Sequence, residues 1–463
     1  MFRRIDWHEL SRRAGVPFLV FALATWGLAW HLGAQRPEPD LYPFLKKSWP
    51  GADFVPLPAG GFEVRRQGQV VGYATSGTES GYSGPITMAV GLAPDGRIRS
   101  VAILEYRDTP DLMKRVQRLL RSLLGKTHSD PFEVGRDVDA ISGATFSSRG
   151  LVRASMTAAQ AIAERGMPRA RYSEPVAFGA PEIALVALLA VSAAGRNRPR
   201  LSASTRKALR AGTLLVSLVT MGFLYNRPWV IAFPIRLLSG DLPPWQSHFY
   251  WYLLFGWLLL TFSRSGKNPY CPWVCPFGAA QDVIGLLGGA RHRRIPSALL
   301  FLWVKRVLLW LAVLLGLLYR SPGAASYEVF AAFFRLKGTS FQMAILVFTV
   351  LVAVFVSRPF CNWVCPVDTT EQIARYVRVR LLRLAGRHPA PRERRPIMLP
   401  MARVTEGATD PLRRVRNLLL TAIGLLCAML VLGHFHAGFS GASLGAQENL
   451  MGDTFVTVAG ERP

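Results

Sequence analysis

The distribution of apolar residues constrains this chain more than any other feature. Seven runs approach the ~20 residues a helix needs to cross a bilayer. They lie at 15–33, 176–194, 211–233, 247–263, 298–318, 341–357 and 417–434. The runs at 247–263 and 341–357 are short for a full crossing and predict little tilt. Half of the 463 residues are hydrophobic and only 18% are charged, which excludes a disordered chain and an ordinary soluble domain. Five cysteines are too few for a disulfide-built secreted scaffold.

The net charge is +26, and its placement predicts orientation. Arg3, Arg4, Arg12 and Arg13 precede the first run. Arg196, Arg198, Arg200, Arg206, Lys207 and Arg210 lie between the second and third. Arg264, Lys267, Arg291, Arg293, Arg294, Lys305 and Arg306 follow the fourth, and the most basic stretch, 375–416, joins the sixth to the seventh. Alternating crossings put all four groups on one side, which the positive-inside rule makes the cytoplasm. The C-terminus is then outside. The expected location is a bacterial inner membrane, with the charge meeting anionic lipid. No helix-turn-helix or aromatic-basic platform accompanies it, so no nucleic-acid partner is expected. Ser11-Arg12-Arg13 before the first run reads as the flank of an uncleaved anchor, since no small-x-small site follows.

Between the first two runs lies a long polar segment. Its early prolines (Pro37, Pro39, Pro43, Pro50, Pro56, Pro58) predict an extended lead-in. Phe62–Val64 and Gln69–Ala74 flank a turn at Gln67-Gly68. Pro85–Leu92 and Arg97–Leu104 flank Pro94-Asp95-Gly96, a hairpin signal. Leu112–Leu124 and Leu151–Glu164 carry helical periodicity. The expected architecture is therefore a multi-span α-helical membrane protein with an external α+β domain. Residues 1–34 form a cytoplasmic start and anchor, 35–175 the external domain, 176–434 the membrane region and 435–463 a short external tail.

The external domain contains Asp139-Ala140-Ile141-Ser142-Gly143-Ala144-Thr145-Phe146-Ser147-Ser148, a small-residue turn running into a helix. Gly143 permits close approach of a ligand, and free helix N–H groups suit an anion. Spacing alone leaves a capped helix start as the plainer reading. The segment closely resembles the flavinylation motif of FMN-binding domains in Rnf and Nqr subunits and in the NosR/NirI family. That resemblance implies FMN joined through a phosphoester to Thr145 by a flavin transferase. Asp139, Ser142, Gly143, Ala144 and Ser148 occupy the other motif positions. Gly81-Tyr82-Ser83-Gly84-Pro85-Ile86 also looks like this domain.

Four cysteines form two copies of one pattern, Pro269-Tyr270-Cys271-Pro272-Trp273-Val274-Cys275-Pro276 and Pro359-Phe360-Cys361-Asn362-Trp363-Val364-Cys365-Pro366. Each follows a span on the cytoplasmic side. Gln281 and Gln372 come after at similar offsets, and Phe233-Pro234-Ile235-Arg236 with Gly240 echoes Phe333-Phe334-Arg335 with Gly338. This is an internal repeat that brings four sulfurs to one region. Cytoplasmic thiols stay reduced, and soft sulfur suits an iron–sulfur cluster, zinc or iron. Inert thiols in tight Pro-bounded turns are the competing reading. The paired loops resemble the membrane region of NosR, NirI and NapH proteins. They imply Cys271, Cys275, Cys361 and Cys365 as ligands of an iron–sulfur cluster. The two-cluster ferredoxin domain usual after the last span has no counterpart here, which implies a separate donor. Cys427 reads as a packing residue. His31, His248, His434 and His436 read as interface histidines rather than haem ligands. No Walker loop, Rossmann fingerprint or nucleophile elbow is present, so no catalytic residue is assigned.

Taken together, the residues and the resemblance imply an electron-transfer component of NosR/NirI type. Its expected partners are a ferredoxin or quinol donor and a periplasmic reductase or maturation protein of denitrification. A redox-sensing regulator is the alternative. A hydrocarbon core of ~30 Å separates the two expected centres, which calls for a further carrier between them.

Overall fold

A computed structural model describes residues 7–35, 39–58, 60–82, 84–106, 116–141, 145–163, 176, 178–197, 202–266, 268–290, 298–336, 338–384, 386, 411–440, 450–451 and 453–458. Ser142, Gly143, Ala144, Ser83 and most of the basic stretch 385–410 lie outside them.

The chain begins with helix α1 (Trp7–Ala34) and enters the external region through α2 (Tyr42–Ser48). Here the expected extended lead-in is corrected. Pro43 falls in the first turn of α2, where its missing N–H costs nothing and its fixed φ starts a helix rather than breaking one. Strands β1 (Asp53–Pro56), β2 (Phe62–Arg66), β3 (Gln69–Ser80), β4 (Pro85–Leu92) and β5 (Ile98–Tyr106) follow as an antiparallel meander. The β2–β3 turn has φ of 50° at Gln67 and 81° at Gly68, the two positive values that a type I′ hairpin requires. Helices α3 (Val116–Leu123) and α4 (Thr145–Ala163) cover one face. Helix α4 starts six residues earlier than its periodicity implied, at Thr145 itself. It lies so close to the sheet that a Cβ on Gly77 would stand 2.2 Å from the Ala154 carbonyl oxygen.

The membrane region contains α5 (Ala180–Asn197), α6 (Ala203–Ser217), α7 (Ala232–Leu238), α8 (Phe249–Ser265), α9 (Tyr270–Trp273) and α10 (Pro276–Leu287). It continues with α11 (Ala298–Leu318), α12 (Pro322–Ala325), α13 (Phe330–Arg335), α14 (Ser340–Ala353), α15 (Pro359–Trp363), α16 (Pro366–Leu384) and α17 (Pro411–Ser440). Every apolar run expected to span is helical, but the run 211–233 is corrected. Ser202 caps α6 by accepting from Thr205 N, so the helix starts earlier. It widens into a π-helical segment at Leu218–Leu224 and ends there. Residues 225–231 then fold back, and α7 re-enters the bundle. The second half repeats this order, with α13 in the place of α7 and α14–α16 in the places of α8–α10.

After α17 the chain returns to the external domain. Strand β6 (Val456–Thr457) pairs antiparallel with β5, and Thr454 Oγ1 accepts from Ile103 N at 3.0 Å. What was read as a separate tail thus closes the sheet as its sixth strand. This pairing constrains topology. The domain and the segment after α17 share one side of the membrane, so an even number of crossings separates them. Among the described residues four helices are long and apolar enough to cross, and three of these follow the domain. Three is odd, so if all three cross, an odd number of α5, α8 and α14 crosses with them, and all three doing so restores the spacing read from sequence.

The contact of Gly77 with α4 gives a stability prediction. Gly77→Ala should destabilise the external domain by about 1–3 kcal/mol through overpacking, measured as a lower unfolding midpoint of the detergent-solubilised chain, while Gly96→Ala, whose Cβ meets nothing within 4 Å, perturbs only its turn.

Candidate redox sites

The first site forms at the start of α4. Thr145 is its first helical residue, so the N–H groups of the first turn point towards the N-terminal end of the helix, where its positive dipole end lies. The turn leading in is tied down by Ser148, whose Oγ accepts from Ile141 N at 3.3 Å, and by Ser122, whose Oγ accepts from Asp139 N at 3.0 Å. The Asp139 carboxylate faces Arg118 at 3.0 Å on the surface. Asp139 and Ser148 therefore shape the loop. Ser147 and Ser148 are buried. Phe146 stands among aromatic groups, 6.3 Å from the Tyr82 ring and 5.6 Å from His248, with the Arg227 guanidinium 4.8 Å over its face. A helix N-terminus with flat apolar groups beside it suits an anionic ligand carrying a planar ring.

The membrane region supplies half of these neighbours. Arg227 pairs with Glu182 of α5 at 2.7 Å, both largely buried. His248, just before α8, is 3% exposed and its Nδ1 faces Ser247 Oγ at 3.0 Å. Burial, with the charges of Arg236 and Arg153, pulls its pKa down to about 3. It is therefore a neutral wall at physiological pH.

The second site lies between the repeats. In each, a single turn carries the first cysteine and the second opens the next helix. Val274 N and Cys275 N both donate to Tyr270 O, and Val364 N and Cys365 N both donate to Phe360 O. This shared geometry presents both thiols of each pair from one tight turn. All four are free of disulfides. The halves are interlocked by Gln281, whose Oε1 accepts from Phe360 N at 3.1 Å and whose Nε2 donates to Cys361 Sγ at 3.4 Å. Asn268 Nδ2 donates to Cys271 Sγ at 3.4 Å and Gly278 N to Cys275 Sγ at 3.3 Å. Arg358, buried and paired with Asp282 at 2.7 Å, donates to Cys271 O at 3.1 Å.

The thiols feel one another. Burial and neighbouring Cys361 push the Cys275 thiol up to about 12. The hydrogen bond from Cys365 pulls Cys361 down, aided by Arg358. Donors aimed at sulfur and a buried cation fit an anionic thiolate-bound centre. Among the described residues no three His, Cys, Asp or Glu gather around a single ion, and His31, His248 and His434 lie on separate elements. Gln281 was legible from its offset after the cysteines. Asn268 and Arg358 were missed, although each stands three residues before the first cysteine of its repeat. Gln372 does not match Gln281, because its Nε2 turns to Asp368 Oδ2 at 2.8 Å.

Comparison with known proteins finds a domain match over each of the two regions. Residues 81–160 match the FMN-binding domain, and residues 247–294 and 341–384 each match the 4Fe-4S binding domain. The chain is 27% identical over 226 residues to Protein NirI of Paracoccus denitrificans, covering 45% of this chain and 32% of that protein. It is 30% identical over 230 residues to Regulatory protein NosR of Pseudomonas aeruginosa, covering 44% and 30%. Against a component of the ion-translocating oxidoreductase complex of Haemophilus influenzae it is 33% identical over 101 residues, covering 19% and 49%. The chain thus spans about half the length of these relatives or less. No solved structure matches.

His248 yields a pH prediction. An unfolded histidine titrates near 6.5 and the buried one near 3, so between these values unfolding takes up a proton. The His248 contribution to stability is complete above pH ~6.5 and is lost as pH falls through the window. A His248→Phe variant should show a flatter loss of melting temperature from pH 7 to 4 than the unaltered chain.

With its two cofactor-type domains and its membrane helices in one chain, the protein is similar to NirI and NosR over a little under half of its length.

Proposed function

We propose that the protein is a membrane-bound electron-transfer flavoprotein, with FMN joined covalently to Thr145 and an iron–sulfur cluster held by Cys271, Cys275, Cys361 and Cys365. One observation carries this reading. The helix start that fits FMN and the paired cysteine turns are joined by continuously packed protein. FMN supplies exchange of one or two electrons, and the cluster supplies exchange of one.

The chain's own residues prepare both sites. The α4 N-terminus offers N–H groups to the phosphate, and Phe146 and Tyr82 offer flat surface to the ring. Ser142, Gly143 and Ala144 complete the approach, and Asp139 and Ser148 hold the loop. At the cysteines, Asn268, Gln281 and the Gly278 N–H donate to sulfur and Arg358 offsets negative charge. Both effects raise the potential of a thiolate centre.

Orientation follows from charge. Arg206, Lys207 and Arg210 on α6, Arg264 on α8 and Arg375, Arg378, Arg380 and Arg383 on α16 stand at the cysteine end. This supports a bacterial inner membrane with the cysteines at the cytoplasmic edge and the FMN domain in the periplasm. The partners in this reading are a flavin transferase, a ferredoxin or quinol donor, and a periplasmic reductase or its maturation system, of the nitrous-oxide-respiring kind by resemblance. The name of one relative, Regulatory protein NosR, favours a second reading, a redox-sensing regulator. Fast reoxidation of the reduced flavin by a partner marks a carrier; slow equilibration with altered partner binding marks a sensor.

Two measurements test the main reading. Protein made with a flavin transferase should fluoresce on a denaturing gel, and Thr145→Val should be dark; equal bands remove the covalent link. Anaerobically purified protein should contain iron and labile sulfide, and Cys361→Ser should lose most of both. Iron-free protein under full protection from oxygen would leave only a thiol or structural role for the cysteines.

A further inference from the structure

The membrane region holds the β3–β4 turn of the external domain with one buried arginine. Arg236, on the re-entrant helix α7, is 1% exposed. Its Nε pairs with Asp241 at 3.0 Å, and its Nη2 donates to Ser80 Oγ at 2.9 Å. Its Nη1 donates to the carbonyls of Gly81 at 3.1 Å and Tyr82 at 3.4 Å. The planar fork is thus spent on the β3–β4 turn, a geometry that lysine cannot copy. The same turn lies under α4, where a Cβ on Gly150 would stand 2.9 Å from the Ser80 carbonyl oxygen and 3.1 Å from Gly81 Cα. Through this turn Arg236 fixes where the first turns of α4 sit against the membrane region.

What α4 meets there is a column of rings. Phe146 adjoins Tyr82, Tyr82 lies 6.0 Å from Trp251, Trp251 stacks on Phe233 at 6.0 Å, and Phe233 lies 5.5 Å from Trp229. Trp229 N then donates to the Tyr270 hydroxyl at 2.8 Å, and Tyr270 is bonded in sequence to Cys271. The column exists because residues 225–238 dip into the bundle instead of staying at its rim.

We propose that Arg236 is a positioning residue for electron exchange, seating the flavin-bearing end of α4 on this aromatic column so that it reaches the cysteine turns. The inference rests on the reading of FMN at Thr145 and a cluster at the four cysteines. With both groups bound, single electrons would pass between flavin and cluster, one oxidised as the other is reduced, with the accompanying protons exchanged with water on the domain's side. The rings serve as packed bridging matter and are themselves neither oxidised nor reduced. No bond to Arg236 forms or breaks.

The test uses the full chain, purified without oxygen and carrying both cofactors. The flavin is reduced by a light flash with a sacrificial amine donor, and the exchange is followed as coupled absorbance changes of flavin and cluster. Arg236→Gln should keep covalent flavin, iron content and both midpoint potentials yet slow the exchange about 10- to 100-fold, the cost of a small misplacement of reacting groups. Arg236→Lys should fall between the two. Exchange at the unaltered rate in Arg236→Gln overturns the proposal, as does a slowing fully matched by a shift in either potential. Should Arg236→Gln fail to accumulate, Trp251→Leu keeps the clamp and breaks the column, and an unchanged rate there overturns the proposal equally. An unaltered chain that is dark on a denaturing gel brings down the flavin reading itself, before any rate is compared.

Discussion

Non-helical backbone inside a bilayer survives only where protein satisfies its polar groups, and this architecture turns on meeting that condition twice. Both halves fold a segment back into the bundle between two crossings. The first is held by Trp229 N donating to Tyr270 Oη at 2.8 Å and by Ile231 N donating to the buried Glu328 carboxylate at 2.6 Å. The second is held by Tyr327 Oη donating to Val364 O at 3.0 Å and by Gln342 Nε2 donating to Ser326 O at 3.1 Å. Three of these four partners lie in, or next to, a cysteine turn or the opposite re-entrant segment (Tyr270, Val364 and Glu328), and Gln342 lies at the start of α14. The groups that make re-entry tolerable are therefore the groups that fix the cysteine turns, and loss of one desolvates a donor or acceptor with no water to replace it.

Much of this was legible in the residues. Strand β4 follows its sequence limits closely, because it is a mostly apolar run buried on both faces that ends in a turn with Gly96 at φ 83°. The repeat was visible as duplicated Cys-x3-Cys-Pro runs and as Phe-Arg pairs, which turn out to be α7 and α13. The re-entrant course was not visible. Asn226-Arg227-Pro228 breaks the run with a polar turn, where Asn226 has φ 49°, but that Trp229–Phe233 then packs inward is decided by the tertiary partners of Trp229 and Ile231. Likewise β6 is two residues long and carries no pattern of its own; its pairing with Ser100 and Val101 depends on a sheet edge formed hundreds of residues earlier. At the sites, Thr145 and the cysteines stood out by motif, whereas Arg227, Asn268 and Arg358 act through contacts that spacing does not encode.

The repeat is not symmetric where it matters chemically. Three residues before the first cysteine, one half has Asn268 and the other Arg358. Six residues after the second cysteine, one half has Gln281, which crosses to the other cysteine turn, and the other has Glu371, which pairs with Arg375 on its own helix. Arg358 enters the site only because Asp282 accompanies it. A fully buried cation without a partner would cost several kcal/mol. Together with Arg210, whose Nε donates to Pro272 O at 2.7 Å, it lays fixed positive charge on one flank of the four sulfurs. Two identical halves would have offered the same field from both flanks; the divergence makes the cysteine pairs unequal, and Cys361, facing both Gln281 and Arg358, is the thiol best able to lose its proton.

This inequality bears on how the two sites communicate. The expectation from sequence was a full hydrocarbon thickness between them. In the folded chain Arg236 of α7 is buried against the β3–β4 turn, and Trp251, Phe233 and Trp229 pack in series next to it. Sequence separation between Ser80 and Arg236 hides this coupling, yet buried hydrogen bonds to a guanidinium are among the stronger non-covalent ties available. Arg236, with His248 at the same turn and the ring contacts of Phe146 and Tyr82, fixes the domain's seat, and a restricted orientation is what exchange between two fixed centres in one chain requires.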